Sequence, residues 1–131
     1  IRDNEYNNFM RHAPWGIFLA RGSSSNDPVS NCHVYYANPT LIQMLNTLDL
    51  NNQPILPSEF WQVKEERSAF MNQLSVNGLV NGATVQMRDA RNHSFWAKIF
   101  ARVIKSPDAL VVYGCVVDVS AEKIPSGKTS L

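Results

Sequence analysis

Three strand-like runs in immediate succession, between Leu79 and Val119, constrain this chain more than any other feature. In Leu79 to Ala90, Ala83, Val85 and Met87 alternate with Thr84, Gln86 and Arg88. In His93 to Lys105, Phe95, Ala97, Ile99, Ala101 and Val103 alternate with Trp96, Lys98, Phe100, Arg102 and Ile104. A two-residue period sends successive side chains to opposite faces, so both runs predict half-buried strands. Short polar turns at Asp89-Ala90-Arg91-Asn92 and Ser106-Pro107-Asp108 make neighbouring runs antiparallel, and Asn92 tolerates left-handed backbone. Leu110 to Val119 is almost wholly apolar, which suits a central strand covered on both faces. Trp96 and Phe100 lie on the second face of the middle run and are too apolar for open water. A helix around Phe9 or a partner subunit is expected to cover them.

The upstream half supplies the cover for this sheet. Tyr6, Phe9 and Met10 at i, i+3 and i+4 predict a short amphipathic helix over Asp3 to His12, with Asp3 as N-cap and Pro14 as terminator. Trp15 to Arg21 reads as a first strand, and Gly22 to Asn31 as a loop. Cys32 to Ala37 reads as a second strand with Cys32, Val34 and Tyr36 on one face and His33 and Tyr35 on the other. Asn38-Pro39 is a helix start, Asn offering a capping oxygen and Pro losing no hydrogen bond at the first position. Leu41, Ile42, Met44, Leu45 and Leu48 form the apolar side of that helix. A longer helix is expected from Ser58 to Asn77, capped by Ser58, striped by Val63, Phe70 and Leu74, and closed by Gly78.

Composition narrows the function classes. The 131 residues correspond to about one domain, and 44% hydrophobic content suffices for one core. Twelve Lys and Arg against eleven Asp and Glu leave a net charge of +1, so no nucleic-acid surface is expected. No apolar run reaches the roughly 20 residues of a membrane span, and the opening residues lack a signal-peptide pattern. Cys32 and Cys115, both in apolar runs, are expected to be free buried thiols of a cytoplasmic protein. His12, His33 and His93 are dispersed, and adjacent Cys32 and His33 point to opposite faces, against a metal site. Gly127-Lys128-Thr129 echoes a phosphate loop, but Glu122 stands where the first glycine is needed. No nucleophile, base and orienting acid assemble in sequence, so catalysis is not expected.

Four short patterns in order carry a resemblance to the PAS family of sensory modules. Ala13-Pro14-Trp15-Gly16-Ile17 resembles the family's entry to its first strand, and Tyr36-Ala37-Asn38-Pro39 its junction from second strand to helix. Glu66-Arg67-Ser68-Ala69-Phe70 with Leu74 and Gly78 is similar to its long helix. Asp118-Val119-Ser120-Ala121-Glu122-Lys123 resembles its Asp-Ile-Thr exit followed by a basic residue, with Val for Ile and Ser for Thr. The resemblance implies an α+β fold: a five-stranded antiparallel sheet in order 2-1-5-4-3, short helices on one face, and an N-terminal flanking helix. Residues 1–13 would be that helix, 14–123 the PAS domain, and 124–131 a linker towards a missing effector, the chain being read as a domain of a longer protein.

The resemblance also implies what the domain does: sensory regulation, relaying ligand or partner state to an attached histidine kinase or nucleotide cyclase. Ligand-pocket candidates are Tyr36, Met44, Arg67, Phe70, Met87 and Phe95, although a filled core gives the same pattern and Arg67 could instead pair with a carboxylate. Asp118, Ser120 and Lys123 are the candidate signal relay, Asp118 pairing with Lys123 or with a basic residue such as Arg102. Tyr6, Phe9, Trp96 and Phe100 form the candidate face for the flanking helix or a homodimer. Haem is disfavoured because no His lies on the long helix, and flavin because no reactive-cysteine segment is present. A small organic ligand, or none, is left. The alternative is a ligand-free homodimerisation module.

Overall fold

A computed structural model of the chain describes residues 2–122. In chain order it contains α1 (Arg2–His12), β1 (Gly16–Gly22), β2 (His33–Ala37), α2 (Pro39–Met44), α3 (Lys64–Asn77), β3 (Leu79–Arg88), β4 (Ser94–Lys105) and β5 (Leu110–Asp118). Short 3-10 turns at Val29–Asn31, Ser58–Phe60 and Ser120–Glu122 punctuate the connections. The five strands form one antiparallel sheet in the order β2-β1-β5-β4-β3, as the resemblance implied. Lys123 and the expected linker 124–131 lie outside the described residues.

One face of the sheet carries the core. Phe18 and Ala20 of β1, Val112 and Val116 of β5, Ala97 and Ile99 of β4, and Val85 and Met87 of β3 meet Leu41, Leu45, Phe60, Trp61, Phe70 and Leu74 from the helical side. Gly114 has to be glycine for this packing: a Cβ there would stand 2.6 Å from Cζ of Phe18 and 2.7 Å from the carbonyl oxygen of Phe100. The Phe18 ring occupies that space. Gly78 closes α3 in the left-handed region at φ 70°, as expected, and Asn92 takes φ 70° in the β3–β4 turn.

The structure corrects several local expectations. α1 begins at Arg2, so Asp3 lies inside its first turn and does not cap it. The expected helix from Ser58 is broken, because Phe60 and Trp61 are buried and Trp61 bridges Met87 in extended conformation. α3 therefore starts at Lys64, without a side-chain cap, and Val63 is exposed rather than part of its stripe. α2 ends at Met44, and Leu48 beyond it is 97% exposed. In β2, Ala20 pairs with Val34 but Leu19 with Tyr36, which leaves Tyr35 as an extra, bulged residue. A bulge of one residue reverses the alternation after it. Val34 stays on the core face, Ala37 joins it opposite Phe18, and Tyr36 turns to the other face opposite Leu19.

Candidate functional site

The six expected pocket residues do not gather around an open space. Phe70 and Met87 are fully packed in the core, while Met44 and Phe95 lie half-buried at its margins. Tyr36 is on the opposite face for the reason just given. Arg67 pairs with no carboxylate among the described residues: its Nε donates to the Leu56 carbonyl at 2.9 Å and its Nη2 to that of Ile55 at 3.0 Å. Trp61 Nε1 donates to the same Leu56 carbonyl at 2.8 Å. These donors hold Leu56 at φ 42°, a conformation that costs a branched residue about 1 kcal/mol or more. Burial pushes the Arg67 guanidinium below its ordinary pKa.

The second face of the sheet is built differently. Two cross-strand rows run over it. One row is Leu19, Tyr113, Arg102 and Leu79, and the other Ile17, Cys115, Phe100 and Asn81. α1 lies over these rows, and between helix and sheet is a cavity of about 420 Å³ lined by residues of both rows together with Tyr6, Phe9, Met10 and Trp15. Among the described side chains, the contacts that fasten the helix lie at its C-terminal end. Met10 is buried and the Phe9 ring meets Trp15 edge-on at 6.2 Å, yet Tyr6 and Phe9 remain 63% and 57% exposed. Phe100 lines the same cavity as Tyr6 and Phe9 of α1. Trp96 is farther along β4, beyond Lys98 on the same face, outside the cavity and 37% exposed.

Asn38 supplies the fastening. Its side chain is fully buried and uses its whole hydrogen-bonding capacity. Oδ1 accepts from the amides of Ile17 at 2.8 Å and Leu41 at 3.0 Å. Nδ2 donates to the carbonyls of Met10 at 2.7 Å and Trp15 at 3.1 Å. The N-cap oxygen was legible in the sequence, but the amide donors that join α1 and the entry to β1 to the α2 terminus were not. Thr40 Oγ1 adds a bond to the Ala13 carbonyl at 2.7 Å.

At the far end of β5 the exit is clamped to β4. Asp118 Oδ1 accepts from the Ser120 amide at 3.0 Å, and Ser120 Oγ accepts from the Trp96 amide at 2.9 Å. The Val119 amide donates to the Trp96 carbonyl at 2.9 Å. The expected pair of Asp118 with Arg102 is excluded by register. Asp118 lies opposite Ala97, on the core side, whereas Arg102 lies opposite Tyr113 on the other face. Trp96 therefore meets Val119 and Ser120 through its backbone, a contact that no side-chain pattern announces.

Both cysteines are free. Burial raises the pKa of each thiol, and the Asp27 carboxylate raises that of Cys32 further. No helix among the described residues is long and apolar enough to cross a membrane.

No family model matches the chain, and no curated protein matches it either. Solved structures do. A PAS domain from Colwellia psychrerythraea superimposes with a TM-score of 0.70 at 9% identity, over 93% of this chain and 100% of that one. A domain of a sensory box sensor histidine kinase/response regulator from Geobacter sulfurreducens gives 0.64 at 13% identity, over 89% and 94%. An RNA-binding light-oxygen-voltage receptor gives 0.69 at 16% identity over 88% of this chain, which spans only 33% of the receptor. The chain has the PAS fold.

Proposed function

We propose that this PAS-fold chain is a non-catalytic sensory module that passes the state of a ligand or partner to an effector in the same polypeptide. The observation that carries the reading is the clamped exit. Trp96 on β4 holds both Val119 and Ser120, and Asp118 fixes the turn between them. A shift of β4 relative to β5 is thereby delivered to whatever follows residue 122, as a two-state relay requires. The likeness to a domain of a sensor histidine kinase/response regulator supports an effector of the histidine-kinase class, with a nucleotide cyclase as the other candidate. Lys123 would extend the relay. Two free cysteines, both protonated and slow to react because burial raises their pKa, suit a reducing, cytoplasmic setting.

Output measured in the full-length protein tests the relay. Asp118→Ala removes one exposed capping bond, worth about 0.5–1.5 kcal/mol at most, so Tm should move little while output uncouples from stimulus. Unchanged output sinks the relay. A collapse of Tm instead makes Asp118 a purely structural cap.

A second reading, homodimerisation, is favoured by the exposed aromatic surface of Tyr6, Phe9 and Trp96 beside half-buried Phe100. Sedimentation of Phe9→Ala and Trp96→Ala tests it. Both variants should dissociate at concentrations where the parent is dimeric, and unaltered association removes this face as the interface.

A further inference from the structure

We propose that the trough between α1 and the outer face of the sheet binds a small, flat aromatic monocarboxylate. The proposal deepens the sensory reading, and rests on it for its purpose, by naming a ligand class and a place for it. The place is the face opposite the packed core.

Shape is the first reason. A trough of about 420 Å³ is within the range of small-molecule sites, roughly 300–1,000 Å³. Its roof is preformed, because Asn38 and Thr40 bind the carbonyls of Met10 and Ala13 and so set how α1 stands over the sheet. A preformed site loses little ordering entropy on binding.

The walls give the second reason. Tyr6, Phe9 and Trp15 line the α1 side, and Phe100 and Tyr113 the sheet side. Ring faces and edges on both sides favour a planar aromatic guest, which stacks offset or edge-on. Tyr6, Phe9 and Tyr113 are exposed without one, so a guest would remove apolar surface from water.

Charge is the third. Among the residues whose side chains are described, Arg102 is the sole charged one in the lining. Its cross-strand neighbours are Leu79 and Tyr113, and no carboxylate whose side chain is described lies within ion-pair distance of it. A guanidinium at the rim of an aromatic trough pairs with a carboxylate bidentately, while the rings take the apolar body. Cys115 lies in the floor beside Phe100 and provides a local reporter.

Calorimetric titration of the 131-residue chain with 2-naphthoate and with uncharged 2-naphthamide tests the proposal. One naphthoate should bind per chain. Arg102→Gln should weaken it about fivefold, the scale of a partly exposed charge pair, and leave naphthamide unchanged. Arg102→Lys, which keeps the charge but not the bidentate fork, should restore only part of the loss. Bound naphthoate should also slow alkylation of Cys115 by iodoacetamide. Absence of binding overturns the proposal, as does binding indifferent to Arg102→Gln. So does sedimentation showing that a second copy, unaffected by naphthoate, shields Cys115. Any of these leaves the relay standing, because its Asp118 test involves no residue of the trough.

Discussion

The two faces of one sheet meet opposite fates in this protein. On the inner face Phe18, Phe70, Trp61 and Met87 fill the space beneath α2 and α3, and even the Cβ of residue 114 is given up to the Phe18 ring. On the outer face α1 is fastened at its C-terminal end and leaves Tyr6 and Phe9 mostly in water over a trough. A packed face resists change because any displacement opens voids or clashes. A face with a roofed, half-open trough accepts a guest or a partner at little cost. On the proposed reading, responsiveness belongs to the outer face, and β5, shared by both, carries the consequence to the exit.

Mutations can break or sharpen that contrast. Phe70→Ala should have the largest effect, a loss of about 3–4 kcal/mol in urea unfolding, because the ring is buried among side chains with no room to collapse. A loss near 1 kcal/mol would show that the inner face is looser than its packing implies. Asn38→Ala comes next, at roughly 3 kcal/mol, since it orphans buried amides and carbonyls on two sides at once. Asn38→Asp should fail as well, for a carboxylate cannot donate to Met10 and Trp15. Hydrogen exchange on α1 should show the helix released in both variants.

Phe9→Ala should cost less than about 1 kcal/mol, because the side chain is already largely hydrated in the native state. A loss matching that of Phe70→Ala would make α1 part of the core and erase the distinction between faces. The smallest effect concerns pH. The bond from the His93 amide, with lesser help from the Arg91 amide and the His93 ring, holds the Asp89 carboxyl below its ordinary pKa, although desolvation opposes it. A depressed carboxylate contributes stability that is complete above the unfolded value, about 3.9, and is lost as pH falls through the folded one. The His93 amide signal should therefore persist to below the usual carboxylate range, and Asp89→Asn should abolish that dependence.

Much of the fold was legible in the chain because its determinants are local. Alternation in residues 79–119, the Asn38-Pro39 start, Gly78 at φ 70° and Asn92 in its turn each depend on neighbours a few residues away. The sheet order followed from the family resemblance. The site was far less legible. Tyr36 changes face because of a bulge whose cause is pairing with β1, and Trp61 is held extended by Met87, 26 positions later. Arg67, read as facing a carboxylate or a ligand, instead meets two carbonyls presented by a backbone whose left-handed turn no local pattern signals.

The sequence by itself determined which segments become strands, where α1 and α3 stop, and that β4 carries aromatic residues on both sides. Tertiary structure alone decided what those residues do. Asn38 reaches partners 21 to 28 positions away, Ser120 reaches Trp96 across 24, and the trough is lined jointly by α1 and by four strands. Periodicity and capping are set by short-range sterics and hydrogen bonding, which repeat along a chain. A trough and a clamp are set by which distant surfaces meet, and that is fixed only when burial of the whole core selects one arrangement.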